Sequence, residues 1–151
     1  MLLKYQVLAL HLTLLAGPVL ACEIDKVMDG APVVGCAWAR PVLGQSGATA
    51  LYFEYWDDSI HQPRHLISVT TSIAKHTEIH ESKVENGIVT MAPAEHLVLP
   101  KNLTRFEPKG KHVMLMGVTL PLTVGDHFTF ELNFREGVIR GDAIVSMMPP
   151  K

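Results

Sequence analysis

The sequence predicts an all-β domain, built as a sandwich or barrel of short strands. Three observations carry this. Short runs rich in Val, Ile, Thr, Tyr and Phe recur along the chain, and these residues suit a pleated, half-buried surface. Ten Pro and eleven Gly punctuate the runs, as turns between strands require. No segment keeps apolar residues at helical spacing for three turns, so no amphipathic helix competes.

In chain order, "VGCAWAR" predicts a strand over Val34–Arg40, and the aromatic run "ATALYFEYW" predicts one over Ala48–Trp56. The β-branched run "LISVTTSI" predicts Leu66–Ile73. Thr77–Val84 and Ile88–Ala92 flank an Asn-Gly pair, the strongest short-range hairpin signal. Thr104–Phe106 is a short candidate, and His112–Val118 alternates. "HFTFELNF" at His127–Phe134 alternates throughout, and "VIRGDAIV" at Val138–Val145 follows a Gly-containing turn.

The chain has 151 residues, 48% hydrophobic and 19% charged, with net charge −2. That suits one domain. It gives no excess of charge for nucleic acid or an anionic membrane surface.

The first 21 residues read as a secretory signal peptide. Lys4 precedes an apolar run to Leu15, then Gly17-Pro18 and a small residue at Ala21. A membrane anchor is the competing reading, but Gln6, His11 and Gly17-Pro18 interrupt the run. The mature domain then spans residues 22–151.

Two fates are open to Cys22. "VLAC" loosely resembles a bacterial lipobox, in which this Cys takes lipid. Otherwise Cys22 pairs with Cys36 in an oxidising compartment, adding roughly 3 kcal/mol on the chain-entropy account. The disulfide is the reading adopted, with lipid anchoring as the alternative.

Placing Asn86-Gly87 as a two-residue turn sets Glu85 opposite Ile88, Val84 opposite Val89 and Ser82 opposite Met91. His80 then shares a sheet face with Met91 as its diagonal neighbour, about 7–8 Å away. In "KHVMLMGV", His112, Met114 and Met116 share one face, while Val113 and Leu115 take the other. The aliphatic face supplies core. The opposite face carries soft donors where Thr, Lys or Glu is usual.

Thioether and imidazole together suit Cu(I), whereas carboxylates suit Mg, Ca and Mn. The bland alternative is Met as core filler and His as a solvated or satisfied side chain. Two separate same-face arguments, each giving one His and one Met, favour the metal. His76 and His80 lie about 13 Å apart on a strand, too far to share one ion. His61 and His65 flank "QPR" and read as loop residues; His96 and His127 have no evident partner.

Catalysis finds little support: the chain has no Gly-rich phosphate loop, nucleophile elbow or HExxH. A blue-copper electron carrier needs a Cys beside its His ligands, and both Cys precede the His/Met region.

The segments "AWAR", "GATALYFEYWD", "EIHES…NGIVTM" and "KGKHVMLMGVTLPLTVGD" resemble those of the periplasmic copper chaperone family called PCuAC. The likeness covers nearly the whole mature chain. The family's motif is His or Met, ten residues, Met, roughly twenty-one residues, then His-x-Met. Here it falls on His80, Met91, His112 and Met114, with twenty residues in the second gap.

The resemblance implies a cupredoxin-like or immunoglobulin-like Greek-key β-sandwich. It implies a periplasmic, non-enzymatic, monomeric chaperone for Cu(I). The acceptor would be the Cu-A centre in subunit II of cytochrome c oxidase, reached directly or through a thiol-containing copper chaperone. Copper scavenging, uptake or resistance would use the same site. A metal-free exported interaction module is the reading from a different class.

Overall fold

The computed structural model describes residues 22, 31–44, 47–59 and 62–150. The expected signal segment, 1–21, and His61 lie outside the described residues. The strands are β1 (Val33–Ala39), β2 (Ala48–Asp57), β3 (Arg64–Thr70), β4 (Ala74–Glu85), β5 (Ile88–Pro93), β6 (Leu97–Leu99), β7 (Asn102–Phe106), β8 (Lys111–Val118), β9 (His127–Phe134) and β10 (Gly137–Val145). Among the described residues there is no helix.

The hydrogen-bonded order is β5-β4-β8-β7-β2-β1-β10-β9-β3-β6. β2 is long enough to take two partners on one edge: Phe53–Asp57 pairs with β7, and Ala48–Leu51 with β8. β1 runs parallel to β10, and most other pairings are antiparallel.

The sheet rolls over on itself to make two layers. β2 and β9 stand three places apart in the order, yet the Phe53 and Phe130 rings lie 5.5 Å apart and those of Tyr55 and Phe134 5.3 Å apart. Alternation decides which side chains fill the space between layers. Leu51, Phe53 and Tyr55 of β2, Val113 and Leu115 of β8, and Phe128, Phe130, Leu132 and Phe134 of β9 are all buried. Their i±1 neighbours point outward.

The hairpin forms as its turn chemistry requires. Asn86 and Gly87 both take positive φ, 52° and 78°, as a type I′ turn needs. The register is Glu85 opposite Ile88, Val84 opposite Val89 and Ser82 opposite Met91.

One strand expectation is corrected. The run expected as one strand over Leu66–Ile73 is strand only as far as Thr70, where β3 ends; a turn occupies Ser72-Ile73, and β4 begins at Ala74. The short β6 pairs with β3 and had no place among the candidates. His65, expected in a loop, lies on β3 and is part-buried.

β1 carries a bulge. Its register with β2 shifts between Gly35 and Trp38, and Cys36 within it has φ 53°. Cys36 is joined to Cys22 by a disulfide with Cα atoms 5.4 Å apart.

One charged group is fully buried. Asp57, at the end of β2, has no exposed surface. It accepts hydrogen bonds from the Tyr55 hydroxyl at 2.8 Å, the Arg64 guanidinium, and the Ser59 amide and hydroxyl. Burial pushes the Asp57 carboxyl up, but the hydrogen bonds from Ser59, Tyr55 and Arg64 outweigh it and hold the pKa below the usual value. Burial, followed by the Asp57 hydrogen bond and charge, pushes the Tyr55 phenol well up.

Candidate metal centre

β4 lies between β5 and β8, so three strands present one outward face. Across β4 and β8, His80 stands directly opposite His112, and Glu78 opposite Met114. Across β4 and β5, Ser82 stands opposite Met91. Directly opposed residues share a face. His80, His112, Met114 and Met91 therefore all project from the side away from Val113, Leu115 and Ile79, which are buried in the core.

The two imidazole rings lie 5.5 Å apart at 66°. An imidazole nitrogen binds a metal at about 2 Å, so two rings at this separation can face one ion. Each ring is also oriented. His112 Nδ1 lies 3.0 Å from the Gly110 carbonyl. A carbonyl only accepts, so Nδ1 carries the proton and Nε2 keeps its lone pair. His80 Nε2 lies 2.9 Å from a Glu78 carboxylate oxygen. By the same logic Nε2 donates and Nδ1 is the free nitrogen. Outer partners of this kind fix ring orientation in metal sites.

The four residues differ in exposure. His112 is 4% exposed, with the Tyr52 ring 6.3 Å away and the Trp38 ring 4.7 Å beyond it, tilted 35° to Tyr52. The His80 side chain is 17% exposed, and Met114 is part-buried. Met91 is 65% exposed. The site thus has a fixed wall around His112 and an open side at the hairpin. Ser82 Oγ, on the same face, is buried without a hydrogen-bond partner.

Among the described residues, no three His, Cys, Asp or Glu side chains converge as a metal site. Beside the two imidazoles this face offers the Met91 and Met114 thioethers, donors that favour soft ions. Glu81 points to the opposite face and pairs with Lys111 at 2.9 Å. Glu78 and the Gly110 carbonyl are the contributors that sequence reasoning missed. Glu78 was within reach of it, since a residue two before His80 must share its face.

A family model described as "Putative lipoprotein LpqE-like" matches residues 33–143. The chain belongs to the LpqE-like family. This LpqE-like chain is 30% identical over 122 residues to a "putative lipoprotein" of Leifsonia xyli subsp. xyli, covering 80% of this chain and 71% of that protein.

Solved structures share the fold of the LpqE-like chain. One is a copper-bound PCuAC domain from PmoF2, with a TM-score of 0.63 and 22% identity over 78% of this chain and 93% of that one. Another is the Cu(I) form of DR1885 from Deinococcus radiodurans, with a TM-score of 0.54 and 22% identity over 76% of this chain and 80% of that one. The apo form of DR1885 aligns over 95% of this chain and 96% of its own, at a TM-score of 0.58.

Proposed function

We propose that the protein is an exported, non-enzymatic Cu(I) metallochaperone that holds its cargo with His80, Met91, His112 and Met114. One observation carries this reading: two oriented imidazoles stand opposite each other on an outward face that also presents two thioethers. These donors fit a soft monovalent ion. The copper-bound state of similar folds supports the choice of metal. The PCuAC motif, matched at His80, Met91, His112 and Met114 with one residue fewer in its second gap, adds support, because the shorter gap can be taken up around Lys101–Lys109, outside β4, β5 and β8.

The oriented His pair holds the cargo, and Met91, 65% exposed, is the donor on the solvent side of the site. The recipient we propose is the Cu-A centre of cytochrome c oxidase, reached directly or through a thiol-containing partner, with the chain acting as a monomer. Copper scavenging or resistance would use the same face. Oxidase activity in a deletion strain separates the two: delivery predicts loss of assembled Cu-A, and scavenging predicts loss of copper tolerance alone.

The direct test is anaerobic titration with Cu(I) against a competing chelator, followed by X-ray absorption. One tight equivalent is expected, with nitrogen and sulfur in its first shell and no blue Cu–thiolate band. A shell without sulfur would sink the reading.

The export claim has its own test. Lipid on Cys22 and the disulfide to Cys36 both use the Cys22 Sγ, so they exclude each other in one molecule. The intact mass of native protein is expected to begin at Cys22 on the periplasmic side of the membrane. A mass that fits the disulfide leaves no free thiol; a lipid adduct leaves Cys36 titratable. Retained Met1 on a cytoplasmic product would remove both.

A further inference from the structure

The row of donors on β4 and β8 does not stop at the four residues above. His76 stands directly opposite Met116, in the same unbroken register that pairs Glu78 with Met114 and His80 with His112. All six project from one face. His76 is exposed and makes no hydrogen bond or ion pair among the described residues, and Met116 is part-buried. On its other side Met116 is paired with Ala48, whose methyl is too short to cover a thioether.

We propose that His76 and Met116 form a second, weaker station for soft monovalent ions such as Cu(I) and Ag(I), linked through Met114 to the tight site. This rests on the copper reading above and extends it to the route by which the ion arrives or leaves. Directly opposed side chains have Cβ atoms about 4.5–5.5 Å apart, so one His and one Met can meet a single ion there. One imidazole and one thioether give fewer donors than the tight site, hence weaker binding.

Spacing along the strand explains why these are two stations. The His76–Met116 and His80–His112 pairs are four residues apart, about 13 Å, which one ion cannot span. Met114 lies midway, two residues and roughly 6–7 Å from both His112 and Met116. Its flexible thioether can serve either station. The ion then moves by exchanging one neutral donor for another. It stays monovalent throughout, and no electron or proton changes hands. Glu78, whose side chain is 48% exposed, adds a negative charge beside the route. The path runs from His112, 4% exposed, to His76 in solvent.

The test uses Ag(I), which is redox-inert, added to the mature protein carrying methyl-labelled Met. The first equivalent is expected to shift the Met91 and Met114 methyl signals, and the second to shift Met116. In the double variant His76→Ala, Met116→Leu the second equivalent is lost and the first keeps its affinity. Both positions tolerate the change, one being solvent-exposed and the other conserving volume. Transfer of the tight equivalent to a chelator is expected to slow in that variant.

The station is overturned if the second equivalent shifts the exposed Met147 and Met148 instead, or if the double variant still binds two. It is also overturned if Met116 shifts together with Met114 on the first equivalent, which would make it part of the tight site. A first equivalent that moves neither Met91 nor Met114 is a different failure, that of the copper reading itself.

Discussion

Met114→Leu is expected to weaken Cu(I) binding roughly ten- to a hundredfold, since even outer-shell changes at metal sites cost that much. The fold should lose less than about 1.5 kcal/mol, because Leu and Met have similar volumes. Met114 faces outward opposite Glu78 and, across β2, Ala50, so no core packing depends on its sulfur. Competition against a chelator measures the first effect, and urea unfolding of the apoprotein the second. His112→Ala would confuse the two. That ring is 4% exposed and sits against Tyr52, so its loss leaves a void as well as a missing nitrogen. If Met114→Leu binds Cu(I) as tightly as wild type, the outward thioethers are filler and the site has been misread.

The largest effect on stability is expected at Asp57. Asp57→Ala strips the partner from the Arg64 guanidinium and the Tyr55 hydroxyl, and breaking a buried pair from one side costs about 3–5 kcal/mol. For a chain of this size that is a fall in Tm of roughly 10 °C or more. The pH dependence has a definite sign. The folded-state pKa of Asp57 is depressed, so the stability it contributes is fully present above the unfolded value, about 3.9. It is lost as pH falls through the folded pKa. Wild type should therefore show a steep acid limb below about pH 4, and Asp57→Asn should flatten it. Urea midpoints from pH 7 down to pH 3 decide this. Asp57→Asn as stable as wild type at pH 7 would show that the carboxylate charge does not matter.

Local signals made the hairpin legible. Asn86-Gly87 fixes the turn, the turn fixes the register, and the register puts Met91 diagonal to His80. Alternation in "HVMLM" likewise assigned Val113 and Leu115 to the core before any partner strand was known. That β4 lies beside β8 was not legible. The pairing closes over some thirty residues and leaves no local trace, so His80 opposite His112 was reachable only through the family motif. β6 escaped notice because Leu97–Leu99 has three residues and stops at Pro100, too short for a pattern to emerge. The break within Leu66–Ile73 was hidden because Thr71, Ser72 and Ile73 are as strand-like in composition as what precedes them.

The pleat of β8 divides its mutations into two kinds. Val113 and Leu115 are fully buried, and His112, Met114 and Met116 lie on the opposite face, the one proposed to hold the metal. Substitution of Met114 or Met116 leaves Val113 and Leu115 in place, so these two thioethers can be exchanged without repacking the domain, whereas His112 is itself packed against Tyr52. An insertion or deletion of one residue inside the strand has no such freedom. It turns every later side chain over, driving His and Met inward and Val and Leu into water, so binding and folding fail together. A change of length is therefore tolerated in the segments that join the strands and not within β8 itself. Drift in identity and drift in length thus act on separate parts of the same short sequence.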